Sequence, residues 1–131
     1  MTVGPVLVVE DDADLLALFK TVLKRSLNAG QILTASGGEA AIKILAETTP
    51  AVIVLDLAMP HVNGNDVIHY ILSQPRLDLT RIVVVTAVPM RLSVEGLARV
   101  SDVLVKPVNP HDLEHAVSRL DAEFKAKANT A

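Results

Sequence analysis

Residues 5 to 16, "PVLVVEDDADLL", contain the change of pattern that decides the fold. The apolar run at 5–9 is typical of a strand that is covered on both faces of a sheet. Four acidic residues follow within five positions, and leucines at helical spacing come next. Carboxylates this close together repel one another. Two explanations fit the cluster: the residues cap the start of the helix, or they bind a cation.

The same alternation continues along the chain. Further apolar runs, at 31–35, 51–55, 81–85 and 102–105, are separated by segments whose apolar residues have helical spacing. The segment at 91–100 is the weakest of these, because Gly96 costs ~1 kcal/mol of helix propensity. The last helix is expected to begin with Asn109 as N-cap and Pro110 in the first turn. The pattern predicts an α/β fold, (βα)5 and doubly wound, with a five-stranded parallel sheet and helices on both faces.

Composition favours a globular protein without thiol chemistry. The chain has 131 residues, of which 50% are hydrophobic and 21% charged, with a net charge of −3 and no cysteine. We expect a single domain over residues 1–131, with a core at about 4–124 and a frayed tail at 125–131. The sequence has no stripe of basic residues of the kind that binds nucleic acid. No apolar stretch reaches the ~18 residues of a membrane helix, so no membrane contact is expected and the cytoplasm is the expected location.

Polar residues end the predicted strands, and the carboxyl ends of parallel strands meet at one edge of a sheet. At this edge we expect carboxylates, a hydroxyl and an ammonium, namely Glu10, Asp11, Asp12, Asp56, Thr86 and Lys106. Carboxylate oxygens are ligands that Mg²⁺ prefers. A cation, a lysine and a hydroxyl can neutralise a phosphoryl group during transfer, while one carboxylate acts as nucleophile. The sequence therefore predicts phosphoryl-transfer chemistry at this edge.

Four motifs, "VLVVEDD", "VIVLDLAMPHVNG", "VVVTA" and "VLVKP", occur in an order and spacing that resembles a response-regulator receiver domain. The resemblance covers residues from about 4 to 124. It implies a flavodoxin-like sheet with strand order 2-1-3-4-5. It also implies a two-component signalling switch, not a turnover enzyme, in which an aspartyl phosphate alters contacts with other proteins.

The resemblance also assigns a phosphoacceptor and a metal site. Asp56 would accept a phosphoryl group from a histidine kinase or a histidine phosphotransfer protein, as in a phosphorelay. Mg²⁺, or Mn²⁺, would be held by an acidic pair, by Asp56 and by the backbone carbonyl of Ala58. Which two of Glu10, Asp11 and Asp12 form the pair depends on register. Their position directly after the strand favours Glu10 and Asp11, and leaves Asp12 as a helix cap.

Three further positions match the receiver pattern. Thr86 corresponds to the switch hydroxyl, and together with the backbone N–H of Ala87 it would bind the phosphoryl group. Lys106 corresponds to the lysine that usually precedes a cis peptide bond to Pro107. Gly64 falls in the turn after the phosphoacceptor strand, where glycine would allow a positive φ.

Three other positions bear on how the switch would report phosphorylation and on how long the phosphoryl group would remain. Val103 stands where many receivers have an aromatic residue, so we expect movement of the fourth helix and its loop to report phosphorylation. Ala58 and Val88 occupy the positions that tune phosphate lifetime, and neither can hydrogen-bond an attacking water. Slow self-dephosphorylation is therefore expected.

The expected output is a change of protein contacts on the face formed by the fourth helix, fifth strand and fifth helix. Leu92, Val94, Val103 and Val105 lie in these segments. The chain would be either a stand-alone regulator with a downstream protein partner or a domain separated from its output domain. A phosphorylation-dependent dimer is a further open alternative.

Two other functions compete with the switch. A receiver-like interaction module would bind a partner without being phosphorylated, although the full set of strand-end residues argues against it. The motif "HDLEH" at 111–115 matches a zinc metalloprotease pattern. Such a site needs a third protein ligand, so His111 and His115 are better explained as residues of a solvated helix face.

Overall fold

The computed structural model describes residues 5–27 and 30–130, in which five strands alternate with five helices. The strands are β1 (Val6–Val9), β2 (Ile32–Ala35), β3 (Val52–Leu55), β4 (Arg81–Thr86) and β5 (Asp102–Val105). The helices are α1 (Ala13–Ser26), α2 (Gly38–Glu47), α3 (Gly64–Leu72), α4 (Val94–Arg99) and α5 (Pro110–Thr130). Two short 3-10 helices, Pro75–Leu77 and Pro89–Arg91, precede and follow β4.

The strands form one parallel sheet in the order β2-β1-β3-β4-β5, which confirms the predicted fold and strand order. β1 lies between β2 and β3, and Val9 at its end is level with Ala35 on one side and Leu55 on the other. The strand order therefore reverses between β1 and β3. In open α/β sheets the ligand crevice lies beyond the strand ends at this reversal.

Apolar cores fill both faces of the sheet. α1 and α5 cover one face, and α2, α3 and α4 cover the other. β1 and β3 are buried along their whole length, which explains their unbroken apolar sequence. Within residues 5–27 and 30–130, no helix combines the length and the apolar character that crossing a bilayer requires.

Side chains cap the helices that begin near the strand ends. Oδ1 of Asp12 accepts hydrogen bonds from the backbone N–H of Asp14 (2.9 Å) and Leu15 (3.1 Å) at the start of α1. Asn109 accepts one from the N–H of His111 (2.8 Å) at the start of α5. Asp12 and Asn109 are therefore the caps that the sequence predicted.

Two helices differ from their predicted extents. The segment at 91–100 contains the end of a 3-10 helix followed by α4, so Val94–Arg99 alone is α-helical. α5 continues to Thr130, so residues 125–130, which the sequence predicted to fray, are helical in the structure. Fraying of this end stays a prediction. Alanine and lysine have high helix propensity, and an Asp121–Lys125 ion pair (3.2 Å) spans one turn at this point.

Candidate functional site

An ammonium and two buried carboxylates meet beyond the ends of β1, β3 and β5. Glu10 follows β1 and is 1% exposed, and Asp56 follows β3 and is 5% exposed. Lys106 follows β5, and its Nζ donates to Oε1 of Glu10 at 2.6 Å and to Oδ2 of Asp56 at 3.2 Å. The tertiary fold thus brings together three of the side chains that the sequence predicted to share this edge.

Asp11 adds a third carboxylate to this cluster. One oxygen each from Glu10, Asp11 and Asp56 lie within 4.8 Å of one another, with Asp11 exposed and the other two buried. Within residues 5–27 and 30–130, this is the only group of three or more side chains of metal-ligating type. Asp12 lies outside the group and caps α1. We call Glu10, Asp11, Asp56 and Lys106 the acidic rim.

Burial and charge shift the pKa values of two rim residues. Burial raises the pKa of Glu10, although hydrogen bonds from Lys106 and from the N–H of Asp12 act in the opposite direction. Burial alone would lower the pKa of Lys106, but its hydrogen bond to Glu10 and the nearby charge of Asp56 outweigh this and raise it. Lys106 is therefore an ammonium at neutral pH, and it pairs with two of the three carboxylates, those of Glu10 and Asp56. The rim has an excess of negative charge at neutral pH.

The loop after β3 fixes the position of Asp56. Oδ1 of Asp56 accepts a hydrogen bond from the N–H of Ala58 (3.3 Å), and the N–H of Gly64 donates to the carbonyl of Leu57 (3.0 Å). A Cβ atom at Gly64 would lie 2.4 Å from the carbonyl oxygen of Asp56. Gly64 has no positive φ, so the predicted reason for this glycine is wrong. It is required because the backbone of α3 approaches Asp56 closely.

Thr86 ends β4 beside Lys106. Its side chain is fully buried, and its Oγ1 accepts a hydrogen bond from the N–H of Val88 (3.1 Å). The N–H of Lys106 donates to the carbonyl of Thr86 (2.9 Å), which ties the ends of β4 and β5 together. Ala87 is exposed immediately after Thr86. The peptide bond between Lys106 and Pro107 is cis, as the motif predicted.

The remaining predicted residues lie away from the acidic rim. His111 and His115 are exposed near the start of α5, outside the carboxylate group, so the structure brings no third ligand to them among the described residues. Val103 packs partly against the core. Val94 and Val105 are exposed, at 83% and 54%, whereas Leu92 is partly buried.

Comparison with known proteins identifies the class that this fold and rim define. The family model of the response regulator receiver domain matches residues 6–118. The chain belongs to this family. Receiver domains are signalling phosphoacceptors of two-component systems and are generally not classed as enzymes.

Individual relatives agree with this assignment. The chain is 33% identical to the Regulator of RpoS of Escherichia coli (strain K12) over 108 residues, which cover 79% of this chain and 30% of that protein. A CheY-like receiver domain protein from Methanospirillum hungatei JF-1 superposes with a TM-score of 0.80 at 29% identity, covering 93% of this chain and 97% of that one. The chain spans between 12% and 51% of the length of the curated relatives compared.

One structural neighbour is described with a metal ion. The receiver domain of a sensor histidine kinase from Pseudomonas aeruginosa PAO1 has a magnesium ion coordinated in its active site cleft. It superposes with a TM-score of 0.80 and covers 92% of this chain and 99% of that one. At 22% identity, this likeness shows a shared fold.

Proposed function

We propose that this chain is a Mg²⁺-dependent switch that accepts a phosphoryl group on Asp56 from a histidine kinase or a histidine phosphotransfer protein. The observation that carries the proposal is the cluster of carboxylates from Glu10, Asp11 and Asp56, of which only Glu10 and Asp56 pair with Lys106, so that the cluster holds more negative charge than this lysine neutralises. Family membership supports it, because receiver domains are phosphoacceptors. The cytoplasm stays the expected location.

The donor set of the rim fits a hard divalent cation. The carboxylates of Glu10, Asp11 and Asp56, with the backbone carbonyl of Ala58, would hold Mg²⁺ or Mn²⁺ through oxygen alone. Three carboxylate oxygens within 4.8 Å repel one another unless a cation lies between them. The magnesium ion in the Pseudomonas aeruginosa neighbour supports the same assignment. When bound, the cation would neutralise charge on the phosphoryl oxygens.

Asp56 would act as the nucleophile. A bond forms between a carboxylate oxygen of Asp56 and phosphorus, and the bond between phosphorus and the donor imidazole nitrogen breaks. The electron pair of that bond stays on the imidazole, and the product is an acyl phosphate. Lys106 remains charged at neutral pH because its pKa is raised, so it would pair with a phosphoryl oxygen.

Thr86 and Ala87 would bind the transferred group from the end of β4. Oγ1 of Thr86 accepts from the N–H of Val88, which leaves its own O–H available to donate to a phosphoryl oxygen. The backbone N–H of Ala87 would donate a second hydrogen bond. Ala58 and Val88 have no side-chain group that could orient an attacking water. We therefore expect slow self-dephosphorylation, with a half-life longer than seconds in Mg²⁺ buffer.

The output would be a change of protein contacts at α4, β5 and α5. Apolar side chains are exposed there or in the preceding turn: Met90 at 91%, Val94 at 83%, Leu97 at 67% and Val105 at 54%. Exposed apolar side chains grouped in this way favour a protein partner. The partner would be a downstream protein, an output domain or a second copy of the chain.

Beryllofluoride, which mimics a phosphoryl group on a carboxylate, tests the proposal. With Mg²⁺, it should alter the amide spectrum around Asp56 and Thr86 in the wild type and leave Asp56→Asn unchanged. Asp11→Ala should weaken Mg²⁺ binding by about tenfold or more, because a direct ligand is lost. Asp14→Ala is the matched control, since Asp14 is one turn away in α1, and it should bind Mg²⁺ like the wild type.

The same experiment decides between this function and a receiver-like module that acts without phosphorylation. A wild type that shows no Asp56-dependent response to beryllofluoride or acetyl phosphate would favour that alternative. Equal Mg²⁺ affinities for Asp11→Ala and Asp14→Ala would contradict the metal assignment.

A further inference from the structure

α4 is held to the rest of the domain by few apolar contacts. Its six residues, Val94–Arg99, bury only Gly96. A Cβ atom at Gly96 would lie 3.4 Å from Cδ1 of Ile68, so α4 comes close to α3 at this point. Val94 and Leu97 are largely exposed. The position of α4 therefore depends on contacts at its two ends, where Leu92 and Val100 pack partly against the core and polar groups make hydrogen bonds.

At its C-terminal end, α4 is anchored by Arg99. The guanidinium donates to the backbone carbonyls of Leu77 (3.1 Å) and Thr80 (2.7 Å), which lie just before β4. This anchor is at the edge of the sheet opposite the acidic rim, because β4 begins there and ends at Thr86. It fixes one end of α4 without any contact to the phosphoacceptor loop.

At its N-terminal end, α4 is anchored by the side chain of Asn65. Nδ2 of Asn65 donates to the carbonyl of Arg91 at 2.8 Å, and Oδ1 accepts from the N–H of Ser93 at 2.9 Å. Ser93 is the N-cap of α4, and its Oγ accepts from the N–H of Gly96 at 3.0 Å. One amide group thus uses both of its polar atoms on the backbone that leads into α4.

Asn65 belongs to the loop–helix unit that carries Asp56. It follows Gly64, whose backbone packs against the carbonyl of Asp56 and donates to the carbonyl of Leu57. A shift of the Asp56 loop therefore moves the first turn of α3, and Asn65 with it. Both hydrogen bonds of the Asn65 amide are directional, so they constrain the orientation of the backbone at Arg91 and Ser93.

The same amide is connected to Thr86 through the backbone that follows β4. Oγ1 of Thr86 accepts from the N–H of Val88, and the carbonyl of Val88 accepts from the N–H of Arg91 at 2.9 Å. The carbonyl of Arg91 then accepts from Asn65. Asn65 therefore hydrogen-bonds the segment after β3 to the segment after β4.

We propose that Asn65 is a positioning residue that couples the state of the Asp56 loop to the position of α4. This inference rests on the proposed function, since it concerns how an event at Asp56 reaches the apolar surface of α4. Allosteric coupling of this kind needs an element with two arrangements that both sites bias. α4, anchored at its two ends and scarcely packed between them, has few contacts that would oppose such a second arrangement.

Amide hydrogen exchange without any ligand tests the anchor itself. Asn65→Ala removes both hydrogen bonds, so the amide of Ser93 should exchange about tenfold faster or more than in the wild type. Ser93→Ala is the matched control. It removes the cap on Gly96 and keeps the backbone N–H that Asn65 binds, so the amide of Gly96 should accelerate while that of residue 93 stays protected.

Beryllofluoride with Mg²⁺ then tests the coupling. In the wild type and in Ser93→Ala, amide signals should change both around Thr86 and along Val94–Arg99. In Asn65→Ala the changes around Thr86 should persist, whereas those along Val94–Arg99 should shrink at least about threefold. Asn65→Asp keeps the acceptor for the N–H of Ser93 and loses the donor to the carbonyl of Arg91, so the signal changes along Val94–Arg99 should be intermediate. This variant replaces Asn65→Ala if the latter folds poorly.

The outcomes separate this inference from the proposed function. A full α4 response in Asn65→Ala, alongside a normal response at Thr86, overturns the coupling role and leaves the phosphoacceptor assignment intact. Unchanged exchange of the Ser93 amide in the ligand-free variant overturns the anchor. A wild type that does not respond to beryllofluoride at all overturns the proposed function and the coupling together.

Discussion

The acidic rim and α4 differ in what they leave unpaired: the rim leaves negative charge without enough positive charge, and α4 leaves apolar side chains without an apolar partner. The rim holds crowded carboxylates, two of them buried, against a single ammonium. α4 holds apolar side chains in water, with Leu97 at 67% and Val94 at 83% exposure. The first region lacks positive charge and the second lacks an apolar partner. Under the proposed function, binding of a charged group at the rim would change the protein contacts of α4.

The largest expected difference between the regions concerns packing around α4. Ile68 in α3 is fully buried, so Ile68→Ala should lower the free energy of unfolding by about 3 kcal/mol. Leu97→Ala in α4 should change it by less than about 0.5 kcal/mol, because that side chain is mostly in water. Urea denaturation of both variants measures the contrast. Similar losses would mean that α4 is a packed part of the core.

Removing the ammonium should reveal how much repulsion the rim contains. Lys106→Met leaves Glu10 and Asp56 without their cation. At pH 7 it should lower the free energy of unfolding by about 2 kcal/mol, which is less than the loss expected when one partner of a fully buried ion pair is removed. Lys43→Met, on the exposed side of α2, is the control and should be nearly neutral.

The same variant should have a characteristic pH dependence. Without Lys106, the pKa of Glu10 in the folded state rises further above its ordinary value of 4.5. The folded state then binds a proton more readily than the unfolded chain. Stability is therefore lost as the pH rises from the unfolded-state pKa of Glu10 through its raised folded-state pKa. Thermal unfolding between pH 4 and 8 should show a deficit that widens with pH. A deficit independent of pH would contradict a charge-based cause.

Removing one rim carboxylate should have the opposite effect and raise the free energy of unfolding. Asp56→Asn relieves repulsion with Glu10 and Asp11, and it should raise stability at pH 7 by about 1 kcal/mol. Asp11→Asn should give a smaller gain, because Asp11 is exposed and its charge is better screened. Millimolar Mg²⁺ should stabilise the wild type more than Asp56→Asn. Lower stability of Asp56→Asn in metal-free buffer would show that the rim is not under charge repulsion.

The smallest expected effect concerns the loop that follows Asp56. His61 has φ of 65°, in the left-handed region that disfavours residues with a Cβ. His61→Gly should therefore raise stability by about 0.5 kcal/mol, after the extra entropy of glycine is subtracted. His69→Gly inside α3 is the control and should lower it by about 1 kcal/mol. A loss at both positions would mean that the His61 side chain makes contacts that outweigh its backbone strain.

Much of this organisation could be predicted from local sequence. Unbroken apolar runs mark β1 and β3 because both are covered on two faces, and the residue after each strand falls at the crevice by topology alone. Asp12 was separable from Glu10 and Asp11 because a cap acts on the next turn of its own helix. The helical residues beyond 124 had no signal in the apolar pattern, because helix propensity and an ion pair continue α5 where the apolar stripe ends.

Contacts between distant segments were beyond that reasoning. Gly64 was noticed for its conformational freedom, yet it is needed because α3 approaches the carbonyl of Asp56. Asn65 gave no signal at all, since its partners Arg91 and Ser93 lie in the segment after β4. Single-sequence patterns carry local periodicity and local caps, whereas these contacts exist only once two loops are folded against each other.

By itself, the sequence determined the α/β architecture, the family resemblance and the set of charged residues at the strand ends. Periodicity, hydrophobic runs and helix caps act over a few residues, so they can be read along the chain. Only the tertiary structure decided that Lys106 bonds to both Glu10 and Asp56, that α4 is weakly packed, and that Asn65 connects the two loops. Those features depend on distances between segments that are far apart in the chain, and the packing of the whole domain fixes such distances.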